Sequence, residues 1–166
     1  AQGASAAQLL GDPKIADGQG VTCLYFAARQ PPVEQPILVL NGEGNGPINN
    51  LCILTNAAPS YGPRDESLVS VTVLRVPDDE LRLRKEVRAQ LADWFGAAVG
   101  EWRHLRTYRI RYALPRQWPP ALAEPERPVR WQPSLYVCGD HRDNASIQGA
   151  MVSGRRTAEA VIEDLS

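Results

Sequence analysis

The hydrophobic residues in the first half of the chain recur in short runs typical of β-strands, with no helical pattern between them. The runs are rich in branched and aromatic residues, which favour strands, and they lie at residues 21–28, 37–40, 48–55 and 67–74. Residues 56–65 contain Pro59, Gly62 and Pro63, so we expect a loop there. Strands that follow one another, rather than alternating with helices, favour an antiparallel or mixed sheet.

The hydrophobic period then changes to that of a helix. Leu83, Val87 and Leu91 recur at helical spacing and lead to an aromatic pair at residues 94–95. Aspartates at positions 78 and 79 are suited to the start of this helix, and Gly96 is suited to its end. The spacing therefore predicts one helix between these signals.

Alternation with period two returns in residues 101–114. One face is predicted to point inward and carries Trp102, Tyr108, Ile110, Tyr112 and Leu114, while Arg103, Arg109 and Arg111 share the other face. Residues 115–133 hold six prolines and are expected to be irregular, and a buried strand and a helix close the chain. The whole order predicts an α+β fold with a mixed, largely antiparallel sheet and a few helices.

The composition excludes several classes of partner. A net charge of −1 over 166 residues gives no electrostatic reason to expect nucleic acid or an acidic membrane surface. No run of about 18 apolar residues is present, so we expect no membrane span. Cys23, Cys52 and Cys138 are an odd number of widely spaced cysteines in apolar runs, which is typical of reduced, buried thiols in a cytoplasmic protein.

The chain does not begin with methionine, since Met151 is its only methionine. Residues 1–7 lack the basic and then apolar pattern of a signal peptide. We therefore expect the sequence to be processed, excised or part of a longer protein.

The other motifs of the sequence do not predict a catalytic site. Residues 42–46, Gly-Glu-Gly-Asn-Gly, lead through Pro47 into a strand rather than a helix, so they predict a turn and not a dinucleotide loop. The arginines of residues 101–116 are most simply an exposed sheet surface. His104 and His141 are the only histidines, and no Gly-x-Ser-x-Gly elbow is present. The oxygen and nitrogen ligands of residues 140–144 match no metal-loop spacing, so we expect no metal.

The C-terminal segment carries the most chemistry. Leu135-Tyr-Val-Cys-Gly-Asp140 is followed by a short loop and then by Ser146-Ile-Gln-Gly-Ala-Met-Val-Ser-Gly-Arg-Arg156. This pattern predicts a strand, a Gly-Asp corner and a helix whose free N–H groups and positive dipole end attract an anionic group. The small residues of the first turn equally allow close packing on a sheet, but a carboxylate at the corner can accept hydrogen bonds from sugar-like hydroxyls.

The same helix is predicted to carry an apolar stripe. It is formed by Ile147, Met151, Gly154, Ala158, Val161 and Leu165.

Residues 135–159 resemble the C-terminal FAD-binding motif of the flavin-containing amine oxidase and phytoene desaturase-like superfamily. The Gly-Asp, Gly-Ala and Ser-Gly-Arg elements of that motif are all present at matching positions. A weaker likeness, through residues 21–28, 58–61 and 108–115, is to the substrate-domain half of an FAD-dependent oxidoreductase branch. The resemblance implies FAD as cofactor and a place in the NAD(P)/FAD-binding Rossmann-like superfamily.

The resemblance also implies roles for individual residues. Asp140 would bind the ribityl chain or an adjacent phosphate, and Gly139 would permit the close approach. Backbone N–H groups of the first helical turn would face the pyrimidine side of the isoalloxazine, where the positive helix end stabilises the negative charge of reduced flavin near N1. The implied cofactor-binding residues are Gly139, Asp140, Ser146, Ile147, Gln148, Gly149 and Ala150. No catalytic side chain is implied, and Arg155 and Arg156 are expected to be solvent or domain contacts.

The resemblance divides the chain into a substrate-domain-like sheet region, residues 1–133, and the closing strand and helix of an FAD domain, residues 134–166. The implied function is hydride transfer from a small or lipophilic substrate to flavin N5. The Gly-x-Gly-x-x-Gly motif that such enzymes place near their N-terminus is not in this sequence, so the N-terminal half of the same enzyme is an expected partner and the isolated segment is expected to be inactive.

Two points remain open at this stage. The paired aromatic residues that flank the flavin in true amine oxidases have no clear counterpart here, so an amine substrate is not implied. The alternative function is a non-enzymatic α+β module that binds a partner through its aromatic and arginine-bearing strand.

Overall fold

The computed structural model describes residues 3–12, 17–120 and 122–166. The helices are α1 (Gly3–Leu10), α2 (Leu54–Ala57), α3 (Glu80–Phe95) and α4 (Ile147–Leu165). The strands are β1 (Gly18–Ala28), β2 (Leu38–Leu40), β3 (Asn50–Ile53), β4 (Ser67–Val73), β5 (Arg103–Pro115), β6 (Arg130–Gln132) and β7 (Leu135–Tyr136). Short 3₁₀ turns lie at Pro59–Tyr61, Ala97–Glu101 and Asp140–Arg142. The α+β class predicted from the sequence is confirmed.

The chain divides into two compact units. One comprises Gly20–Arg111, and the other comprises Ala1–Gln19 together with Tyr112–Ser166. The predicted division at residues 133 and 134 concerns cofactor binding rather than compactness, and it stays a prediction.

The larger sheet has the strand order β2-β3-β4-β1-β5. The pairs β2/β3, β3/β4 and β1/β4 are antiparallel. Their register aligns one row of apolar residues across the sheet: Val39, Leu51, Val71 and Leu24. Three helix residues, Leu83, Val87 and Leu91, join this face in one buried cluster. Burial of apolar area between helix and sheet therefore stabilises the unit formed by residues 20–111.

The opposite face of this sheet is partly exposed, and the side chains that β1 to β4 align on it are uncharged. The register forms two rows there. One row contains Leu38, Cys52, Ser70 and Tyr25, and the other contains Leu40, Asn50, Thr72 and Cys23. The ring of Tyr25 packs edge-on against that of Tyr108, with centroids 5.7 Å apart.

Helix α3 begins and ends where its sequence signals lie. The Asp79 side chain accepts a hydrogen bond from the Arg82 N–H at 2.9 Å, which caps the helix. Gly96 follows the last turn with a φ of 77°, a conformation that favours glycine. The predicted core residues of this helix are buried, which confirms the prediction.

The glycine-rich run of residues 42–46 lies in the connection between the antiparallel strands β2 and β3. The Asn41 side-chain amide donates to the carbonyls of Asn45 and Ile48, both at 2.7 Å. The predicted turn is therefore confirmed. Beyond β3 the sequence reading was wrong in detail, because the strand ends at Ile53 and the helix α2 and a 3₁₀ turn occupy part of the predicted loop.

The predicted inward face of β5 is largely exposed. Tyr108 is 50% exposed, Ile110 is 41% exposed and Leu114 is 44% exposed, whereas Trp102, just before the strand, is buried. The prediction of a buried face is wrong because Tyr108 lies on the sheet face opposite α3, where its ring packs on that of Tyr25.

The segment around residue 138 is less buried than predicted. β7 has two residues and pairs only with β6 in a separate two-stranded sheet, and Leu135 is 39% exposed. Cys138 is exposed, Cys23 and Cys52 are half-buried, and all three thiols are free. The expectations of a buried strand and of three buried cysteines are therefore wrong. No helix among the described residues is both long and apolar enough to cross a membrane.

A charged cluster anchors the end of α4 to the small sheet. Arg130 bonds to Asp164 through Nε at 2.9 Å and to Glu163 through Nη2 at 2.9 Å. The Tyr136 hydroxyl donates to Asp164 at 2.6 Å. The hydrogen bonds from Arg130 and then from Tyr136 lower the pKa of Asp164 to about 2.

This depressed pKa predicts a pH-dependent effect of Asp164→Asn. The carboxylate contributes stability above its unfolded pKa of about 3.9, and that contribution declines as the pH falls toward the folded value. Urea unfolding should therefore show a deficit in the variant near neutral pH that shrinks between about pH 4 and about pH 2. Asp65→Asn, at an exposed loop position, is the control for loss of an exposed carboxylate. A deficit in Asp164→Asn that is constant through this window would contradict the assigned contacts.

Candidate functional site

The predicted Gly-Asp corner is present as a sharp backbone turn. Gly139 has a φ of 143°, and a Cβ there would lie 2.7 Å from His141 Nδ1, so glycine is required by conformation and by space. Asp140 opens the 3₁₀ turn that follows, and its side chain is about one-third exposed. The backbone at Asp140 is therefore constrained by the turn, and its carboxylate remains accessible.

Ser153 ties this corner to helix α4. Its hydroxyl accepts a hydrogen bond from the Gly139 N–H at 2.9 Å and donates to the Gly139 carbonyl at 2.8 Å. Ser153 is fully buried. Since both backbone groups of Gly139 bond to one side chain, the corner and the helix are fixed relative to each other.

The loop that joins the corner to α4 is held at its centre by an ion pair. Asp143 is 5% exposed, and its carboxylate lies 3.3 Å from Arg156 Nη1. Arg156 also donates through Nη2 to the Arg127 carbonyl at 2.9 Å. Arg156, expected to be a solvent or domain contact, therefore contacts the loop of its own unit. Arg155 instead pairs with Glu159 on the exposed side of the helix.

Gln117 holds the same loop from the opposite direction. Its Nε2 donates to the Asp143 carbonyl at 2.7 Å, and its Oε1 accepts from the Ala145 N–H at 2.8 Å. Two hydrogen bonds from one amide restrict the loop at both of these residues. Gln117 lies in the proline-rich stretch, where the sequence gives no pattern that points to this role.

The first turn of α4 has a defined cap. The Ser146 hydroxyl accepts a hydrogen bond from the Gly149 N–H at 2.9 Å, which is the N-cap arrangement. A Cβ on Gly149 would lie 2.0 Å from the Asn144 carbonyl oxygen. The N–H groups of Ile147 and Gln148 precede the first intrahelical hydrogen bonds, as helix geometry requires, and both residues are exposed. The turn therefore presents free donors to its surroundings.

The structure thus places the predicted site residues in two groups on adjacent elements. Gly139 and Asp140 form the corner, and residues 146–150 form the cap and first turn of α4. The residues that join the groups were missed from sequence. Ser153 had a usable signal, because it lies one helical turn after the buried Gly149 and so shares its face.

The predicted apolar stripe of α4 does not face the protein interior among the described residues. Ile147 is 78% exposed and Met151 is 70% exposed. The buried face of the helix carries Gly149, Ser153 and Ala160 instead. Small and hydroxyl-bearing residues allow close approach, so packing against the corner decides which face is inward.

Burial sets the charge state of groups beside the corner. The pKa of His141 is lowered by burial and then by the positive charge of Arg142, so the imidazole is neutral near neutral pH. The pKa of the Tyr112 hydroxyl is raised by burial and then by the charges of Asp140 and Asp17. Among the described residues no group of three or more His, Cys, Asp or Glu side chains could hold a metal ion.

Comparison with known proteins gives a family match that covers most of the chain. The family model for flavin containing amine oxidoreductases matches residues 4–162. No curated protein matches the chain.

Solved structures share the fold at low sequence identity. An oxidoreductase from Methanosarcina mazei has 18% identity and a TM-score of 0.62, with an alignment that covers 96% of this chain and 38% of the other. A Pyrococcus furiosus protein has 13% identity and a TM-score of 0.55, covering 86% and 32%. A reduced UDP-galactopyranose mutase has 12% identity and a TM-score of 0.59, covering 80% and 31%. The chain therefore spans about a third of the length of these structures.

Two glycines of α4 provide an internal test of the packing. Gly149→Ala should destabilise the protein by about 1–3 kcal/mol, because the added methyl group meets the Asn144 backbone. Gly154→Ala is the matched control, since nothing lies within 4 Å of its Cβ position, and it should be neutral or stabilise by up to about 1 kcal/mol. Urea unfolding measures both. Equal effects of the two substitutions would contradict the packing of α4 on the loop.

Proposed function

The chain belongs to the flavin containing amine oxidoreductase family, and we propose that it is the part of an FAD-dependent oxidoreductase that closes over the flavin. FAD is the cofactor of this family. The observation that carries the proposal is the rigid pairing of the Gly139 corner with the start of α4 through Ser153. The proposed cofactor-binding residues are Gly139, Asp140, Ser146, Ile147, Gln148, Gly149 and Ala150.

The shape and chemistry of these residues fit a flavin. Gly139 and Gly149 each lack a Cβ where one would collide with His141 or with the Asn144 backbone, so glycine at both positions lets the corner and the first turn of α4 pack closely. Asp140 offers carboxylate oxygens to ribityl hydroxyls or to a group beside a phosphate. The first turn of α4 offers backbone N–H donors and the positive end of the helix dipole.

Each group then has a defined part in the proposed reaction. FAD, when bound, supplies the acceptor for a hydride at N5. The N–H groups of Ile147 and Gln148, with the α4 dipole, favour negative charge on the pyrimidine side of the ring system. Asp140 orients the sugar-like chain, and the hydrogen bonds of Ser153 keep these groups in register. The contribution of this chain is positioning and electrostatics rather than a side-chain nucleophile.

The uncharged rows of β1 to β4, on the sheet face opposite α3, support the proposal that the substrate is small or lipophilic. These rows combine apolar side chains with hydroxyl, thiol and amide groups, and include Tyr25, Cys52, Ser70 and Thr72. Such a face can contact an uncharged compound without leaving a buried charge unpaired. We propose that residues 1–133 form the substrate side of the enzyme and that residues 134–166 form the flavin side.

The complete reaction requires more than this chain. The family places a Gly-x-Gly-x-x-Gly phosphate-binding turn near the N-terminus, and this sequence does not contain that motif. We infer that the segment by itself is not active and that the rest of the flavin site comes from the N-terminal half of the same enzyme.

Asp140→Asn tests the cofactor assignment in the complete protein. The substitution removes a charged hydrogen-bond acceptor, so FAD affinity should fall about tenfold or more. Flavin retained after gel filtration, measured by its visible absorbance, reports the loss. Asp65→Asn, an exposed loop aspartate, is the matched control and should retain wild-type flavin. A colourless wild-type protein in the presence of added FAD, or full retention in Asp140→Asn, would contradict the proposal.

A further inference from the structure

A small cavity lies within the unit formed by residues 1–19 and 112–166. Its volume is about 60 Å³. The ionisable residues that line it are Asp12, Asp17, Arg116, Arg127, His141 and Arg142. A cavity of this size has room for about two water molecules or for one small oxyanion. None of its lining residues belongs to the set proposed above to hold FAD.

Two of these residues have buried nitrogen atoms without a hydrogen-bond partner in the described part of the chain. The atoms are Arg142 Nε and His141 Nε2. Arg142 is 7% exposed, its guanidinium lies 5.2 Å from the Trp131 ring centroid, and its Nη2 donates to the Pro128 carbonyl. The guanidinium is thus fixed in place, and a buried N–H without an acceptor is unfavourable unless an oxygen atom lies beside it.

The charges of the lining favour an anion over a neutral ligand. Arg116 Nε lies 3.0 Å from Asp17 Oδ1, so these two charges offset each other. Asp12 interacts favourably with Arg142, while Arg127 repels it. With His141 neutral, the described lining residues comprise three arginines and two aspartates, which gives them one positive charge in excess.

We propose that this cavity binds a small oxyanion, either a carboxylate or a phosphate group. The anion accepts hydrogen bonds from Arg142 Nε and His141 Nε2 and balances the excess charge that Arg127 brings. Because the volume holds one such group, a larger ligand enters only with a terminal carboxylate or phosphate. The residues that hold the anion are distinct from the proposed flavin-binding residues, so the site can be tested separately from flavin binding.

The two histidines make this proposal measurable. NMR titration of the histidine rings in the purified protein gives both pKa values, with inorganic phosphate compared against chloride at the same ionic strength. An oxyanion in the cavity raises the pKa of His141, because nearby negative charge favours the imidazolium form. His104 belongs to the other compact unit and should not respond. No response at His141, or an equal response at both rings, would overturn the proposal.

Arg127→Gln tests the site with a substitution that preserves the backbone hydrogen bonds of residue 127. Arg127 donates through its backbone N–H to the Arg142 carbonyl and accepts through its own carbonyl from Arg156, and both contacts survive the change. The phosphate affinity derived from the His141 shift should fall about tenfold, because the substitution removes the excess positive charge at the cavity. Arg64→Gln, at an exposed loop position, should keep wild-type affinity. Wild-type affinity in Arg127→Gln, or equal losses in both variants, would contradict the site.

The source of the anion is resolved by repeating the titration with acetate and with FAD-loaded protein. If a cofactor phosphate fills the cavity, the pKa of His141 is raised in the loaded protein before any salt is added. If a free oxyanion fills it, the pKa rises only when phosphate or acetate is present. A His141 pKa that is insensitive in every form means that the cavity holds water only, and the proposal fails even where flavin binding is intact.

Discussion

The double hydrogen bond between Ser153 and Gly139 is the interaction on which the candidate site depends. It joins a corner that follows a two-residue strand to a helix of 19 residues. The strand itself is too short to position a carboxylate. Because Ser153 is fully buried, solvent cannot compete for these bonds, and the geometry of Asp140 follows from that of the helix.

The other contacts extend this arrangement. The buried pair of Asp143 and Arg156 holds the centre of the loop, and Gln117 holds its far side. Removing one member of such a pair leaves the other charge buried and unpaired, which makes the loop sensitive to substitution. The loop therefore reaches the first turn of α4 in one conformation, with its exposed donors and the Asp140 carboxylate presented together.

Local signals allowed much of the fold to be predicted from the sequence. Asp79, the spacing of Leu83 and Val87, and Gly96 define α3 without reference to the rest of the chain. The exposure of Tyr108 was not predictable in this way, because it depends on which face of the sheet α3 covers. The Gly-Asp corner and the small residues of α4 were visible in the sequence. The roles of Gln117 and Arg156 were not, since their partners lie many residues away.

The most direct test of this account is the FAD affinity of Ser153→Ala in the complete protein, measured by titration of flavin fluorescence. Alanine has a high helix propensity and a small side chain like that of serine, but it cannot form the two hydrogen bonds to Gly139. We predict that affinity falls about tenfold while urea unfolding stays cooperative, whereas the exposed Ser60→Ala control keeps wild-type affinity. An unchanged FAD affinity in a folded Ser153→Ala protein would contradict the claim that this contact positions the flavin site.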